Sequence, residues 1–402
     1  MDALITAAAR ALATGDLLGA LNRVSLRDDP PALALRGIVM ARLGEFGRAR
    51  DLLARAGRGF GRGNPAARAR CTLAEAEIAL VLRDIAWPQG LLDRTRAVLE
   101  TAGDHANAAH ARIIEARRLL LIGQPGAASD AIAGLDPGRI PPALAAGLHL
   151  TRAGIAARRI AAAEAVRDLD AAAAAAAASG IAELAAEVAT ARHQLDAPAA
   201  RLVRAGTDRM VTLAEIEALP AEAALVVDAC RLIIRDATDI RPLATRPVLF
   251  ALARQLALAH PADVPRAVLI REGFGGRTAD DSHRARLRVE IGRLRRLLHP
   301  LARIRATPAG FVLHPARPGP VALLDPPIEA GCGRILALLA DGEAWSTTAL
   351  AIALGTSPRT IQRLMERLAA TGRVRPTGRG RTRRWTVPAL GGFPTIMLLP
   401  GV

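Results

Sequence analysis

Ser282 to Leu298 reads SHRARLRVEIGRLRRLL, a stretch with six arginines and a single carboxylate, Glu290. At 100° per residue, Leu287, Ile291, Leu294 and Leu298 fall on one stripe, and Arg286, Arg293 and Arg296 point the other way. The spacing predicts a helix with one face packed and one face basic, stopped by Pro300. An isolated charge run is ordinarily a solvated face, so the neighbouring segments decide what this one does.

Upstream, AALVVDACRLIIRDATDI from Ala223 is rich in β-branched residues and predicts two short strands, with Asp236 to Asp239 as a turn. A helix is expected from about Thr245 to Ala259, and a shorter one opened by Pro265. Downstream, ARIRATPAGFVLH predicts a strand pair. From Ala224 to His314 this order resembles the winged-helix domain of OmpR/PhoB-type response regulators. The matching residues are Leu243, Thr245, Val289, Ile291, Leu294, Arg295, Leu298, Gly310 and Phe311. The resemblance implies that the long helix enters the major groove and the hairpin reaches the minor groove or backbone. It makes Arg286, Arg288 and Arg293 candidates for base or phosphate contact, with Arg284 and Arg296 alongside. A major groove admits a helix, arginine binds guanine bidentately, and further arginines neutralise phosphates. The N-terminal half shows no receiver-like run of strands ending in clustered aspartates, so activation by aspartyl phosphorylation is not expected.

A second basic stretch, SPRTIQRLMERLAATGRVRPTGRGRTRRW from Ser357 to Trp385, sets nine arginines against Glu366 alone. Before it, Ala349, Leu350 and Ala353 form the apolar side of a helix, and Gly355 makes a tight turn. Ser357 is then an N-cap, with Pro358 at the first helical position. Ile361, Leu364, Met365 and Leu368 form the inward stripe, leaving Arg359, Thr360, Gln362, Arg363 and Glu366 outward. The N-terminal turns of a recognition helix are the part that meets base edges. A basic hairpin follows, with Gly378 and Gly380 at its tip and Arg379, Arg381, Arg383 and Arg384 as expected phosphate or minor-groove contacts. Over about 60 residues this module resembles DeoR-like bacterial winged helices.

Residues 1–200 predict helices joined by short Gly or Pro breaks. LGEFGRARDLLARA from Leu43 realigns with IGQPGAASDAIAGL from Ile122, pairing Gly44 with Gly123 at an offset of 79 residues, near two units of about 40. The segment from Ala34 to Ala56 resembles a tetratricopeptide-type repeat, without that motif's aromatic positions. The expected fold is mainly α. It comprises an N-terminal helical-hairpin repeat solenoid (1–200) and two small α+β winged-helix domains (221–315 and 328–402), with a break at 200–220 and a Pro-rich linker at 316–327.

The charge agrees with this division. Residues 1–200 carry 24 Arg against 21 Asp and Glu, whereas residues 201–402 carry 30 against 17, and lysine is absent. A local basic surface is the usual footprint of nucleic-acid binding. The 2% aromatic content argues against stacking recognition of single strands, so double-stranded DNA is the expected partner. The three cysteines lack disulfide or zinc spacing, and the N-terminus lacks the features of a signal peptide, so a cytoplasmic, non-membrane protein is expected. GFGGR at Gly273 is not a P-loop, the eight histidines are dispersed, and Asp280 with Asp281 suits a helix start; no catalytic residue, metal or cofactor is expected. The repeats are expected to take a protein or small-molecule effector. The apolar tail GGFPTIMLLPGV adds an edge strand or makes a homodimer contact. The alternative reading is a non-enzymatic helical-repeat scaffold whose basic modules bind protein or RNA.

Overall fold

Pro30, Pro65, Pro125 and Pro142 each open a helix, where the missing proline N–H removes a group that has no helical partner anyway. A computed structural model describes residues 2–13, 15–82, 84, 90–204, 206–274, 281–326, 330–339, 345–370, 373–378, 380 and 383–386. The chain is mainly helical, with a small mixed sheet region in its C-terminal part. The first half runs α1 (Ala3–Ala13), α2 (Leu17–Val24), α3 (Pro30–Arg42), α4 (Phe46–Phe60), α5 (Pro65–Val81), α6 (Leu91–Thr101), α7 (His105–Leu121), α8 (Pro125–Ala131), α9 (Pro142–Arg158), α10 (Ala162–Ser179) and α11 (Ala182–Asp196).

Each helix of this array packs on the next, and the odd-numbered helices also touch one another from α1 through α11. The sequence sorts the two sets. Even-numbered α4 buries only Ala49, Leu53 and Ala56, and α10 only Ala162, Ala165, Leu169, Ala172 and Ala176, single stripes with steps of three and four. Odd-numbered α5 and α9 are buried on several sides, and their small residues, such as Ala74, Ala76, Ala145, Ala146 and Gly147, let neighbours approach closely. Gly44 and Gly123 occupy equivalent turns, after α3 and after α7, both with positive φ (82° and 77°).

The expected break at 200–220 is instead ordered structure. β1 (Ala200–Arg204) and β2 (Thr207–Val211) form a hairpin, and α12 (Leu213–Glu222) starts at a capping box made by Thr212 and Glu215. Then come β3 (Leu225–Asp228), β4 (Ile233–Arg235), β5 (Ile240–Pro242), α13 (Pro247–Ala259), β6 (Val264–Pro265), α14 (Arg266–Phe274), α15 (Asp281–Leu298), β7 (Ala302–Ala306), β8 (Gly310–Pro315) and β9 (Val321–Asp325). Pro265 ends the short strand β6 rather than opening α14.

The stretch expected as a linker carries β9, in which every residue is buried. It lies inside a six-stranded sheet of order β2-β1-β9-β3-β4-β5, antiparallel to β1 and parallel to β3. Buried Asp325 fixes it there: Arg254 of α13 donates to both its oxygens (2.9 and 2.7 Å), and Arg201 of β1 adds a third bond at 3.1 Å. The hydrogen bond to Asp325 also raises the pKa of the Arg254 guanidinium. α13, α14 and α15 share one core with β3, β4, β9 and the hairpin β7-β8, and that core sets the height of α15 above the sheet.

Array and sheet are joined through a shared core in which Ile160 and Ala162 meet Leu202, Ile216, Val226 and Leu324. The N-terminus of α10 has only Ala161 at its cap, and Glu217 of α12 supplies what alanine lacks, accepting from Ala162 N (2.8 Å) and Ala163 N (3.2 Å). Loss of a carboxylate cap costs about 1 kcal/mol. Glu217→Ala is therefore expected to speed amide exchange at Ala162 and Ala163 by about fivefold, with Glu217→Gln close to wild type. Unchanged exchange in Glu217→Ala would show that the cap is not used in solution.

The last module comprises α16 (Ala330–Leu339), α17 (Thr347–Leu354), α18 (Pro358–Ala370), β10 (Arg375–Thr377) and β11 (Arg384–Thr386). β10 and β11 pair antiparallel, and an isolated bridge joins Trp345 to Trp385. Its core gathers Ile335, Leu339, Leu350, Ile361, Met365, Leu368 and Trp385. No helix among the described residues is long and apolar enough to cross a membrane.

Candidate nucleic-acid interface

On α15 the inward stripe sits where its period requires: Leu287, Ile291, Leu294 and Leu298 are all in the core. Arg284, Arg286, Arg288, Arg293 and Arg296 are all exposed, but they do not form one surface. Helical geometry brings Arg286, Arg293 and Arg296 onto one outward arc, with Arg288 about 160° away from Arg286, on the side of Arg284. Arg284 leaves the first turns from the opposite side of the helix. Val289, on the centre of the arc, is 54% exposed, which leaves an apolar patch among the cations.

Two of these arginines are pre-positioned. The Arg286 guanidinium lies 4.5 Å from the centre of the Phe274 ring, a cation–π contact that holds it at the end of α14. Arg293 donates to Glu290 at 2.8 Å. Arg295 belongs to the fold instead, because its Nε donates to the carbonyl of Ile304 on β7 (2.8 Å). The hairpin tip is held in turn by Arg266, which donates to the carbonyls of Pro308 (2.8 Å) and Thr307 (3.0 Å).

On α18, Ile361, Leu364, Met365 and Leu368 are buried, and Arg359 and Arg363 stand exposed on the opposite side. Ser357 is exposed and caps the helix by accepting from Thr360 N at 3.1 Å; the two hydroxyls lie 2.8 Å apart. Gln362 is half-buried and donates to Glu366 (2.7 Å) while its oxygen accepts from Thr347 (3.4 Å). Ser357, Thr360 and Gln362 thus have local partners to give up before they reach a ligand, whereas the two arginines project outward. In the following hairpin Arg384 is exposed. Arg383 is half-buried with its guanidinium 4.2 Å above the Trp385 ring, so it braces the hairpin. Arg379 and Arg381 lie outside the described residues, as do Asp280 and residues 391–402.

Other basic groups were not singled out from the sequence. Arg303 and Arg305 alternate outward along β7, a period-two pattern visible in ARIRA. Arg246, at the cap of α13, is brought beside Arg293 and Arg296 only by the tertiary fold. In the array, α5, α7, α9 and α11 carry a buried polar seam: Glu77 with His110 (3.6 Å), and Arg117 with Thr151 and Glu187 (both 3.4 Å). Burial pushes the Glu187 carboxyl up, against the opposing pull of Arg117. The cavity beside the seam, about 10 Å³, has room for one water.

Among the described residues no group of three or more His, Cys, Asp or Glu side chains is placed to hold a metal ion. Comparison with protein-family models, with curated proteins and with solved structures finds no match to this chain.

Proposed function

We propose that this chain is a sequence-specific transcriptional regulator that binds double-stranded DNA through two winged-helix modules. One observation carries the reading: in two separately cored modules, a helix with a buried apolar stripe and outward arginines stands directly before a β-hairpin. In the first, OmpR/PhoB-like, α15 presents Arg286, Arg293 and Arg296 to a major groove, with the hairpin β7-β8 alongside. In the second, DeoR-like, α18 presents Arg359 and Arg363, with β10-β11 as its wing. A major groove is wide enough for such a helix, and the guanidinium fork matches the acceptor edge of guanine. The N-terminal array, as a tetratricopeptide-like solenoid, serves as the docking region for a protein or small-molecule effector, and it shares a core with the sheet. The reading assigns no catalysis and a cytoplasmic setting.

The test is the salt dependence of binding to duplex DNA. If about six arginines of the two modules contact phosphates, log K falls against log salt with a slope of roughly −5. A slope near zero rejects the DNA reading and favours a scaffold whose basic modules meet protein.

A further inference from the structure

Between the first turn of α13 and the C-terminal half of α15 the surface opens into a groove of about 670 Å³. Arg246, Arg293 and Arg296 line it, Glu290 is the one carboxylate on its wall, and Val248 and Leu249 lie beside Arg246. Glu290 is taken by Arg293, at 2.8 Å. Arg246 and Arg296 are exposed, and among the described residues neither makes an ion pair or a side-chain hydrogen bond. With Arg293 paired to Glu290, the charges of Arg246 and Arg296 converge on one concavity whose one carboxylate is already taken. Solvent screens their repulsion, and an anion seated among them removes it.

We propose that this groove holds a phosphate of the DNA backbone, which rests on the reading of α15 as a DNA-facing helix. The guanidinium groups supply planar, charged donors suited to phosphate oxygens. The opening is far larger than a free inorganic anion requires, and it admits a phosphodiester with its flanking sugars. Its wall is also continuous with the outward arc of α15, through Arg293 and Arg296. A helix lying in a major groove has a strand of backbone along each side, and α13 stands where one such strand passes. The amide groups of Val248 and Leu249, in a first turn without a side-chain cap, add to the arginines and do not define the site. Arg246 and Arg296 then act as positioning residues: they fix the depth and register of α15, while Arg286 and Arg293 face the bases. Phosphate contacts set register and carry no sequence information themselves.

Arg246→Gln in the full chain separates these roles, with a DNA site selected from a random-sequence pool. Arg246 is exposed and outside the core, so the melting temperature is expected to stay at the wild-type value. Loss of one phosphate contact makes the salt slope less negative by about 0.9, on the order of eightfold weaker binding at 0.1 M salt, equally on selected and unselected DNA. Replacing successive backbone phosphates by neutral methylphosphonates identifies one position that weakens the wild type and leaves Arg246→Gln unaffected. If Arg246→Gln binds with wild-type affinity and slope while the wild type shows a steep slope, the groove is not a phosphate site and the DNA reading stands. If inorganic phosphate, titrated at constant ionic strength, saturates the arginine side-chain NMR signals of a wild type that does not bind DNA, the proposal is overturned in favour of a small anion.

Discussion

Replacing Arg286 and Arg293 together by alanine is expected to remove most of the discrimination between a selected DNA site and random DNA, while folding is unchanged. Both side chains are exposed and lie on the arc opposite the buried stripe, so neither substitution opens a cavity. A good bidentate arginine–guanine pair is worth about 1–3 kcal/mol of discrimination, so losing two costs about 2 kcal/mol or more, roughly 30-fold or more in specificity ratio. Arg286 is the larger contributor, because the Phe274 ring holds its guanidinium without using a hydrogen-bond donor, whereas Arg293 already donates to Glu290. Arg286→Lys tests this point: it keeps the charge and loses the planar fork, so nonspecific affinity holds while the specificity ratio falls. The measurement is competition binding at fixed salt against the selected and the scrambled site. An unchanged ratio in the double variant would remove α15 as the reading element even if the protein still bound DNA.

The parts of this architecture that were readable without coordinates are those in which one segment states its own environment. α15 and α18 declare themselves because leucine-like and arginine residues alternate at the helical period, and the same holds for the turns at Gly44 and Gly123. β9 could not be read that way. It is buried throughout, so it shows no alternation, its five residues sit between prolines, and its parallel partner β3 lies 96 positions earlier, from Val321 back to Leu225. β2 was hidden for the opposite reason, since four of its five residues are exposed and polar chemistry dominates TDRMV. At the interface, residue type alone overstated what reaches outward. Arg383 faces an indole and Ser357 caps its own helix, whereas Arg246 becomes part of the basic surface only because α13 packs beside α15. The shared core of Ile160, Leu202 and Leu324 also means that a cut at residue 200 would expose apolar surface on both sides, so array and sheet are best tested together.

Trp385→Ala is expected to unfold the C-terminal module while leaving the rest of the chain intact. Trp385 is fully buried, and its backbone exchanges two hydrogen bonds with Trp345, at 3.0 and 2.8 Å. Its indole Nε1 donates to Thr347 at 3.1 Å, at the first turn of α17. The indole thus connects β11 to the start of α17 and to the stacked Arg383, beside the backbone bridge to Trp345. Truncating a buried tryptophan costs about 3–5 kcal/mol, and a domain of this size rarely has more than about 3–5 kcal/mol in total. The loss is therefore comparable with the whole stability of the module. Trp385→Phe retains most of the volume and gives up one hydrogen bond, about 1 kcal/mol, and is expected to stay folded. Hydrogen exchange resolves the two: in Trp385→Ala the amides of α17 and α18 lose protection together, while those of α13 and β9 keep theirs, because the cores are separate. DNA binding by Trp385→Ala should then match that of Arg359→Ala/Arg363→Ala, since α18 no longer has a packed stripe to aim its arginines. Retained protection across α17 and α18 in Trp385→Ala would show that Leu364, Met365 and Leu368 hold the module without the indole, and would detach the hairpin from the placement of α18.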